Sequence, residues 1–497
     1  MTIPGWRQRV RLDPERRRTA LTFGVWILVL ASVVSWRRGV LYSGGLDATV
    51  LAKAFVAALA AVAAVVLWRS APIRRRLSPF PPLLVLSIVG ISVVGAMSTG
   101  NAVASAVLAV RIALLSVTVL MLLSSMKSGE AVASLLTAMA VLGLVAAVTG
   151  VPGIHHSGVQ AGRLGGGIPP LEPNELATLL LPPAIGLTYF VVRRGVKSLA
   201  LVGLVVLAAV IYLTGSRAAL AMLVVASVVT IITARRISRT AVAVALVAAV
   251  VAYAAVAFTP VLSTLLLRGE GVQRLLTLNS RTISWGAVFA LPKNQWSWWL
   301  GHGLSMKTIR VTGQYWSNQA FDSSWISSIA QDGVIGTILL AIYAAGTLVA
   351  VWIRRDLRPW ALPLVLAILI RSSVENGLIE SSVAYTLCFL IATAAWPGTA
   401  ARPARAVPAV QAPAALPEEP RVLAYPASWL SDRDASPSAR PITRRRGLPP
   451  ARDGVVRSIR LVVAGPESPL AVGSSWLLRH AARLRPLARD EEAPDRL

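Results

Sequence analysis

Cysteine is nearly absent from this chain of 497 residues: Cys388 is the only one, so no intrachain disulfide can form and no cysteine-based metal site exists. Charge is scarce as well. Only 14% of residues are Asp, Glu, Lys or Arg, against roughly 25% in a soluble domain, while 55% are apolar. Acidic residues are the scarcer kind, 22 against 49 Lys and Arg, leaving a formal net charge of +27. In a soluble protein that excess would point to nucleic acid. Here the arginines sit in short loops and in the C-terminal tail, where they read as a topology signal and imply no nucleic-acid partner. The first apolar run is not followed by a small-residue cleavage site but continues as Trp36-Arg37-Arg38. It is therefore expected to stay as a helix rather than leave as a signal peptide.

What the chain has in quantity is long apolar runs. Stretches of about 17 to 25 residues, enough to cross a hydrocarbon core of about 30 Å, recur from Leu21 to Trp396. They predict an all-α fold, a polytopic transmembrane bundle of about twelve spans. The spans fall near 21–36, 47–68, 80–97, 102–126, 131–151, 175–192, 198–214, 218–234, 240–260, 325–353, 360–374 and 381–396. With the basic residues 1–19 placed in the cytoplasm, the even-numbered connections also face it. They carry Arg69/Arg74/Arg75/Arg76, Lys127, Arg193/Arg194/Lys197, Arg235/Arg236/Arg239 and Arg354/Arg355/Arg358, the bias expected of cytoplasmic loops. Arg37 and Arg38 run against it. This orientation expects a bacterial inner membrane, both termini cytoplasmic, and long extracytoplasmic loops at 151–174 and, late and largest, 261–324. The second loop holds Trp285, Trp296, Trp298, Trp299, Tyr315 and Trp316, too aromatic for plain disorder. Residues 20–396 thus form the transmembrane domain. From Pro397 the chain is rich in Pro, Ala and Arg, a composition that cannot bury enough apolar area to fold and predicts a disordered cytoplasmic tail over 397–497.

The ionisable residues near the outer ends carry any chemistry. Thr214-Gly215-Ser216-Arg217 interrupts an apolar stretch of about 35 residues, too long for one span, so a tight outer turn is expected there. Arg217 either snorkels or, at a helix N-terminus where a cation opposes the macrodipole, binds an anion. Arg163 opens a segment with Gly165-Gly166-Gly167 and Pro169-Pro170 that ends at Asn174. Its glycines let backbone approach a ligand, or it is a loop leading to a helix start at Asn174. In the large loop, Arg281 lies four residues before Trp285, and its planar guanidinium suits phosphate. The three tryptophans Trp296, Trp298 and Trp299 read best as an interfacial belt. His302, between Gly301 and Gly303, marks a turn or touches substrate. Asp322, before Ser323-Ser324-Trp325, either caps the next helix or serves as base for an acceptor hydroxyl. Arg111 inside the fourth span, and Arg371, Glu375 and Glu380 at the last outer turn, are ionisable groups at membrane depth, which face a cavity or a partner. Arg371 and Glu375, four apart on a helix, suit an ion pair. Lys53, near the outer end of its span, can snorkel.

In content and order, Arg163…Pro173-Asn174, Thr214-Gly215-Ser216-Arg217, Arg281…Trp285, Gly301-His302-Gly303 and Asp322…Asp332-Gly333-Val334-Ile335-Gly336 resemble the landmarks of the O-antigen ligase and O-antigen polymerase family of membrane glycosyltransferases. The resemblance spans roughly residues 20–396. It implies transfer of a glycan from a polyprenyl-pyrophosphate carrier to an acceptor hydroxyl on a glycan or lipid, outside the cytoplasm. The implied reaction inverts the anomeric carbon and uses neither cofactor nor metal. By the same resemblance, Arg217 and Arg281 match arginines that hold the donor pyrophosphate. Asp322 matches a position where ligases place a histidine that engages the acceptor. Asp accepts a proton but cannot donate one when ionised, so the subtype stays open between ligase and polymerase. Arg163, Asn174, His302, Arg111, Arg371 and Glu375 are the candidate substrate-binding residues. The rival from another class is a secondary transporter or lipid-linked glycan flippase. It would bind near the midplane, often between inverted repeats, and no repeat is evident in the sequence.

Overall fold

Helix formation in this chain follows apolar length. The computed structural model describes residues 14–37, 45, 47–71, 74–153, 162–194, 198–234, 281–312 and 317–397. Its helices are α1 (Pro14–Val33), α2 (Ala48–Arg69), α3 (Phe80–Ser98), α4 (Ala102–Ser124), α5 (Ser128–Gly150), α6 (Pro173–Arg194), α7 (Ser198–Leu213), α8 (Arg217–Thr233), α9 (Arg281–Phe289), α10 (Trp296–Leu300), α11 (Ser324–Ile353), α12 (Arg358–Arg371) and α13 (Val383–Ala395). Two short strands, β1 (Thr308–Arg310) and β2 (Asn318–Ala320), pair antiparallel. Six helices (α2 to α6 and α11) are long and apolar enough to cross a membrane, and α7, α8 and α13 are shorter apolar helices. Eleven of the twelve expected spans thus coincide with helices. The twelfth, 240–260, lies outside the described residues, as do 1–13, Arg38, Lys197, Arg235, Arg236, Arg239, 261–280, Tyr315, Trp316 and the tail from 398.

The first helix starts earlier than its apolar run. Pro14 takes the first helical position, where its missing N–H costs nothing, and the Glu and Arg residues that follow are good helix formers. Residues 14–19, expected in a separate basic segment, therefore belong to α1. The described part of 261–324 carries two short helices and the strand pair. Around Val288, Ile309, Phe321, Ile326 and Ala330 a second apolar cluster forms, with Trp285 packed against it and its Nε1 donating to the Phe321 carbonyl at 3.2 Å.

The main core is one continuous cluster. Helix α13 is its axis: Tyr385 and every residue from Leu387 to Ala392 are shielded, and it packs on α3, α4, α5, α6, α11 and α12. A helix buried on all sides has to be apolar all round. Peripheral helices show the reverse. Along α2, Leu51, Phe55, Leu59, Val62 and Val66 stand exposed in one row, an apolar face suited to lipid rather than water.

The helices also sort their charges by end. Arg18 Nη2 donates to the Ser125 carbonyl at 2.5 Å, and the Arg75 N–H to that of Ser124 at 2.9 Å. The start of α1, the segment after α2 and the α4–α5 turn therefore meet at one basic end. The opposite end carries the loops 162–172, 214–216, 281–312, 317–323 and 372–382. Arg37, which ran against the charge bias, is paired there with Asp47 at 2.8 Å.

Candidate functional site

A cavity of about 430 Å³ opens at the loop end. Its walls come from α1, α2, α4, the start of α6, the large loop and the α12–α13 turn. Of the residues expected to act, Arg111, Asn174, Arg281, Asp322 and Glu375 all line it. So do Lys53, Glu172, Glu175, Lys307 and Glu380. Lys307 and Glu175 were not singled out from sequence, and Lys53 was read as snorkelling. Lys307 lies in an irregular loop segment with no pattern of its own, and its ion pair with Glu380, at 2.7 Å and part-buried, ties it to the last outer turn.

Arg281 and Asp322 face each other at 3.7 Å (Nε to Oδ2), with Asp322 about half exposed at 54% and Arg281 at 24%. Arg281 opens α9, and Asp322 sits one residue before the N-cap of α11. That corrects the capping alternative: the cap is Ser323, and the Asp322 side chain points to the cavity instead. Among the described residues, Asp322 is the one non-glycine with positive φ, at 45°, a region Asp enters more readily than most residues. The backbone there turns the carboxylate away from the helix and toward Arg281.

Beside the cavity runs a polar chain that joins two of the sequence landmarks to the last outer turn. Arg163 Nε donates to the Thr214 carbonyl at 2.9 Å, and its Nη2 to Asn174 Oδ1 at 2.8 Å. The Asn174 carbonyl accepts from Arg371 Nη2 at 2.9 Å, and the same nitrogen reaches Glu375 Oε2 at 2.7 Å. Asn174 is thus a bridge between two arginines inside the first turn of α6, not a cap. The expected Arg371–Glu375 pair is present and largely buried. Burial holds the Arg163 pKa below its usual value, against the raising effect of Glu172 and Glu375, and the Arg217 charge lowers it further.

Arg217 lies where a tight turn was expected: α7 ends at Leu213, Gly215 takes φ 64° and α8 begins at Arg217 itself. It stands within electrostatic reach of Arg163 but is not on the cavity wall. Gly166 and Gly167 of the Arg163 segment approach neighbouring backbone closely. A Cβ on Gly167 would strike the Thr149 carbonyl, and the Gly167 N–H donates to that of Ala146 at 2.8 Å, seating the loop on the end of α5.

His302 also lies away from the cavity, and the structure accounts for both glycine motifs around it together. At Gly333, with φ 69° and ψ −172°, helix α11 kinks, which leaves the carbonyls of Ala330 and Gln331 without helical partners. The N–H groups of His302 and Gly303 fill those places at 2.9 and 3.0 Å, and Ser92 Oγ adds a second bond to Gln331 at 2.9 Å. A Cβ on Gly301 would collide with the Gln331 carbonyl, and one on Gly333 with that of Trp299. Gly301-His302-Gly303 and Gly333 are therefore two halves of one joint. The kink divides the 30 residues of α11 into a short part before Gly333 and a longer part after it. Among the joint's groups, His302 is half-buried, and that burial lowers its pKa, partly opposed by the hydrogen bond to Ala330. Trp296 and Trp299 are exposed and do not line the cavity.

Residues 202–341, from α7 to the middle of α11, match the family described as O-antigen ligase. This segment contains Arg217, Arg281, His302, Asp322 and Gly333. No curated protein matches the chain.

Proposed function

On the premise that the chain carries an O-antigen ligase domain over residues 202–341, we propose that it transfers glycan from a polyprenyl-diphosphate carrier to an acceptor hydroxyl on the extracytoplasmic side, in surface polysaccharide biosynthesis. The observation that carries this reading is the Arg281–Asp322 pair on the wall of a cavity walled by both membrane helices and loop. In the step proposed, Asp322 accepts the proton of the acceptor hydroxyl. The freed oxygen attacks the anomeric carbon, the bond from that carbon to the diphosphate oxygen breaks, and the leaving diphosphate takes the electron pair. Attack opposite the leaving group inverts the carbon. Negative charge then grows on the diphosphate, and Arg281 is placed to stabilise it with a planar fork of donors. The Arg163–Asn174–Arg371–Glu375 chain holds the wall behind it, and Arg217 adds positive charge to that chain.

The loose 3.7 Å contact between Arg281 and Asp322 supports this division of labour. A tight bidentate pair would occupy both groups, whereas this separation leaves each available to a different part of the substrate. Orientation is part of the proposal: the end that carries Arg18 and Arg75 is assigned to the cytoplasm and the cavity to the outside, a reading supported by the bias of basic residues toward cytoplasmic ends.

The test is reconstitution of the full chain in proteoliposomes with a lipid-linked oligosaccharide and a labelled acceptor. A new acceptor-linked glycan, with release of polyprenyl diphosphate, is the expected result. Movement of the labelled lipid between leaflets without a new glycosidic bond would replace this reading with that of a flippase.

A further inference from the structure

We infer that the basic end, remote from the cavity, binds an anionic glycerophospholipid, its phosphate held by Arg69 and Arg74 with Arg76 beside them and its acyl chains lying along the exposed apolar face of α2. This site is independent of the transfer reading and of which side of the membrane its end faces.

Three segments converge there on the α4–α5 turn. Arg18 of α1 donates to the Ser125 carbonyl, while Arg75 donates its N–H to the Ser124 carbonyl and its Nη1 to Ser128 Oγ at 3.3 Å. These bonds hold 74–76, whose three arginines are exposed, against the bundle just beyond the end of α2. Arg74 lies over the Trp68 ring, its Cζ 4.2 Å from the centroid. A stacked guanidinium gives the ring only its face and keeps its N–H edge for another partner. No acid lies on this stretch of chain: from Ala48 to Gly129 the sequence has neither Asp nor Glu, and Glu130, the first to follow, lies 3.7 Å from Lys127. The α11–α12 connection differs, since Arg354 there is paired with Asp356 at 3.2 Å. Like charges gathered without carboxylates repel one another, and an anion among them relieves that repulsion.

Position selects the anion. Exposed Arg69 continues the outward row of α2: it stands three residues after Val66 and seven after Val62, spacings that share one helix face. Val62 and Val66 are 61% and 60% exposed, while Ala60, Ala64 and Leu67 are buried on the other face. An outward apolar row on a helix long enough to cross a membrane faces hydrocarbon. Cations at the end of that row therefore sit at headgroup level, where basic pockets between helices take anionic heads. On α3, which begins four residues after Arg76, Leu83 is exposed in the same way. A soluble phosphate would use only the arginines; a phospholipid uses the arginines and the apolar row together.

The measurement is lipid binding to the full-length protein in detergent, read by native mass spectrometry as the affinity for the first lipid bound. Wild type should prefer phosphatidylglycerol to phosphatidylcholine by about tenfold or more, as for charge-assisted hydrogen bonds to one anion. Arg69→Gln and Arg74→Gln should each cut that preference severalfold and together remove it. Arg354→Gln/Arg355→Gln takes the same charge from the same end and should bind as wild type does. Glycerol phosphate, the head without its chains, should compete poorly. Equal binding of the two lipids by wild type would exclude the site, whatever the variants do. So would a double variant at 69 and 74 that keeps both the melting midpoint and the full preference. Equal loss in the 354/355 variant would reduce the effect to net charge and overturn the assignment. Glycerol phosphate competing as well as the lipid would do the same, since the α2 row would then contribute nothing. Displacement of the lipid by a short oligonucleotide at lower concentration than by phosphatidylglycerol would give the patch to nucleic acid instead.

Discussion

Asp322 and His302 show how position decides what a polar side chain does. With Ser323 as the cap of α11 and the Asp322 backbone at φ 45°, Asp322→Asn keeps a residue that tolerates this conformation and removes only the base. Transfer should fall by about a hundredfold or more with an unchanged melting midpoint; a variant that keeps near-normal turnover would exclude Asp322 as the base. Arg281→Lys keeps the charge and loses the planar fork, so its turnover should fall strongly as well. His302 makes a prediction of the opposite kind, in stability. Its folded pKa lies below the ordinary 6.5, so above that pH both folded and unfolded chains hold it neutral and its contribution is complete. As pH falls through 6.5 the unfolded chain takes the proton first, and stability is lost as pH approaches the folded pKa. Melting midpoints measured from pH 7.5 to 5 should therefore fall less in His302→Gln than in wild type, and identical slopes would refute the assignment.

At the scale of elements, the joint between α11 and the Gly301-His302-Gly303 segment holds the large loop to the helix bundle. Gly333 combines a positive φ with an extended ψ, a region essentially reserved for glycine, where another residue costs about 1 to 3 kcal/mol. Its Cβ would also meet the Trp299 carbonyl. Gly333→Ala should lower the melting midpoint and loosen the loop, read as faster amide exchange across 301–312, whereas Gly90→Ala in α3, where a Cβ meets nothing, should leave exchange unchanged. Equal exchange in both variants would mean that the loop is held elsewhere. The presence of α11 could be read directly from its apolar run, because helical periodicity and length are local properties. The reason for its glycines could not, because the groups they avoid, the Trp299 and Gln331 carbonyls, are brought close only by the fold.

For the whole molecule, the proposed orientation makes the loop end and the basic end differ in access. Cys388 is fully buried, so with Cys388→Ala as background, single cysteines at Asn294 in the exposed large loop and at Arg355 in the α11–α12 connection report the two ends. An impermeant thiol reagent added to whole cells should label the cysteine at 294 and spare that at 355 until the membrane is opened. The reverse pattern would turn the molecule over and put the cavity in the cytoplasm, where an extracytoplasmic transfer would have no site.

Sequence by itself determined the class of this protein, the place of its helices and the segregation of its arginines. Each of these depends on apolar length, helix-end chemistry or charge within a few residues along the chain. It also singled out Arg111, Asn174, Arg281, Asp322 and Glu375, all of which line the cavity, since ionisable or amide groups near span ends rarely lack a partner. Only the tertiary structure decided which of them share a space. It drew Lys53 and Lys307 into the cavity and left Arg217 beside Arg163. It moved His302 to a backbone joint and relieved Asp322 of capping. The physical reason is distance along the chain: Arg371 meets the carbonyl of Asn174 across 197 residues, and Lys307 meets Glu380 across 73. Partners so far apart leave no local trace, because it is the packing of helices on α13 that sets which ends converge.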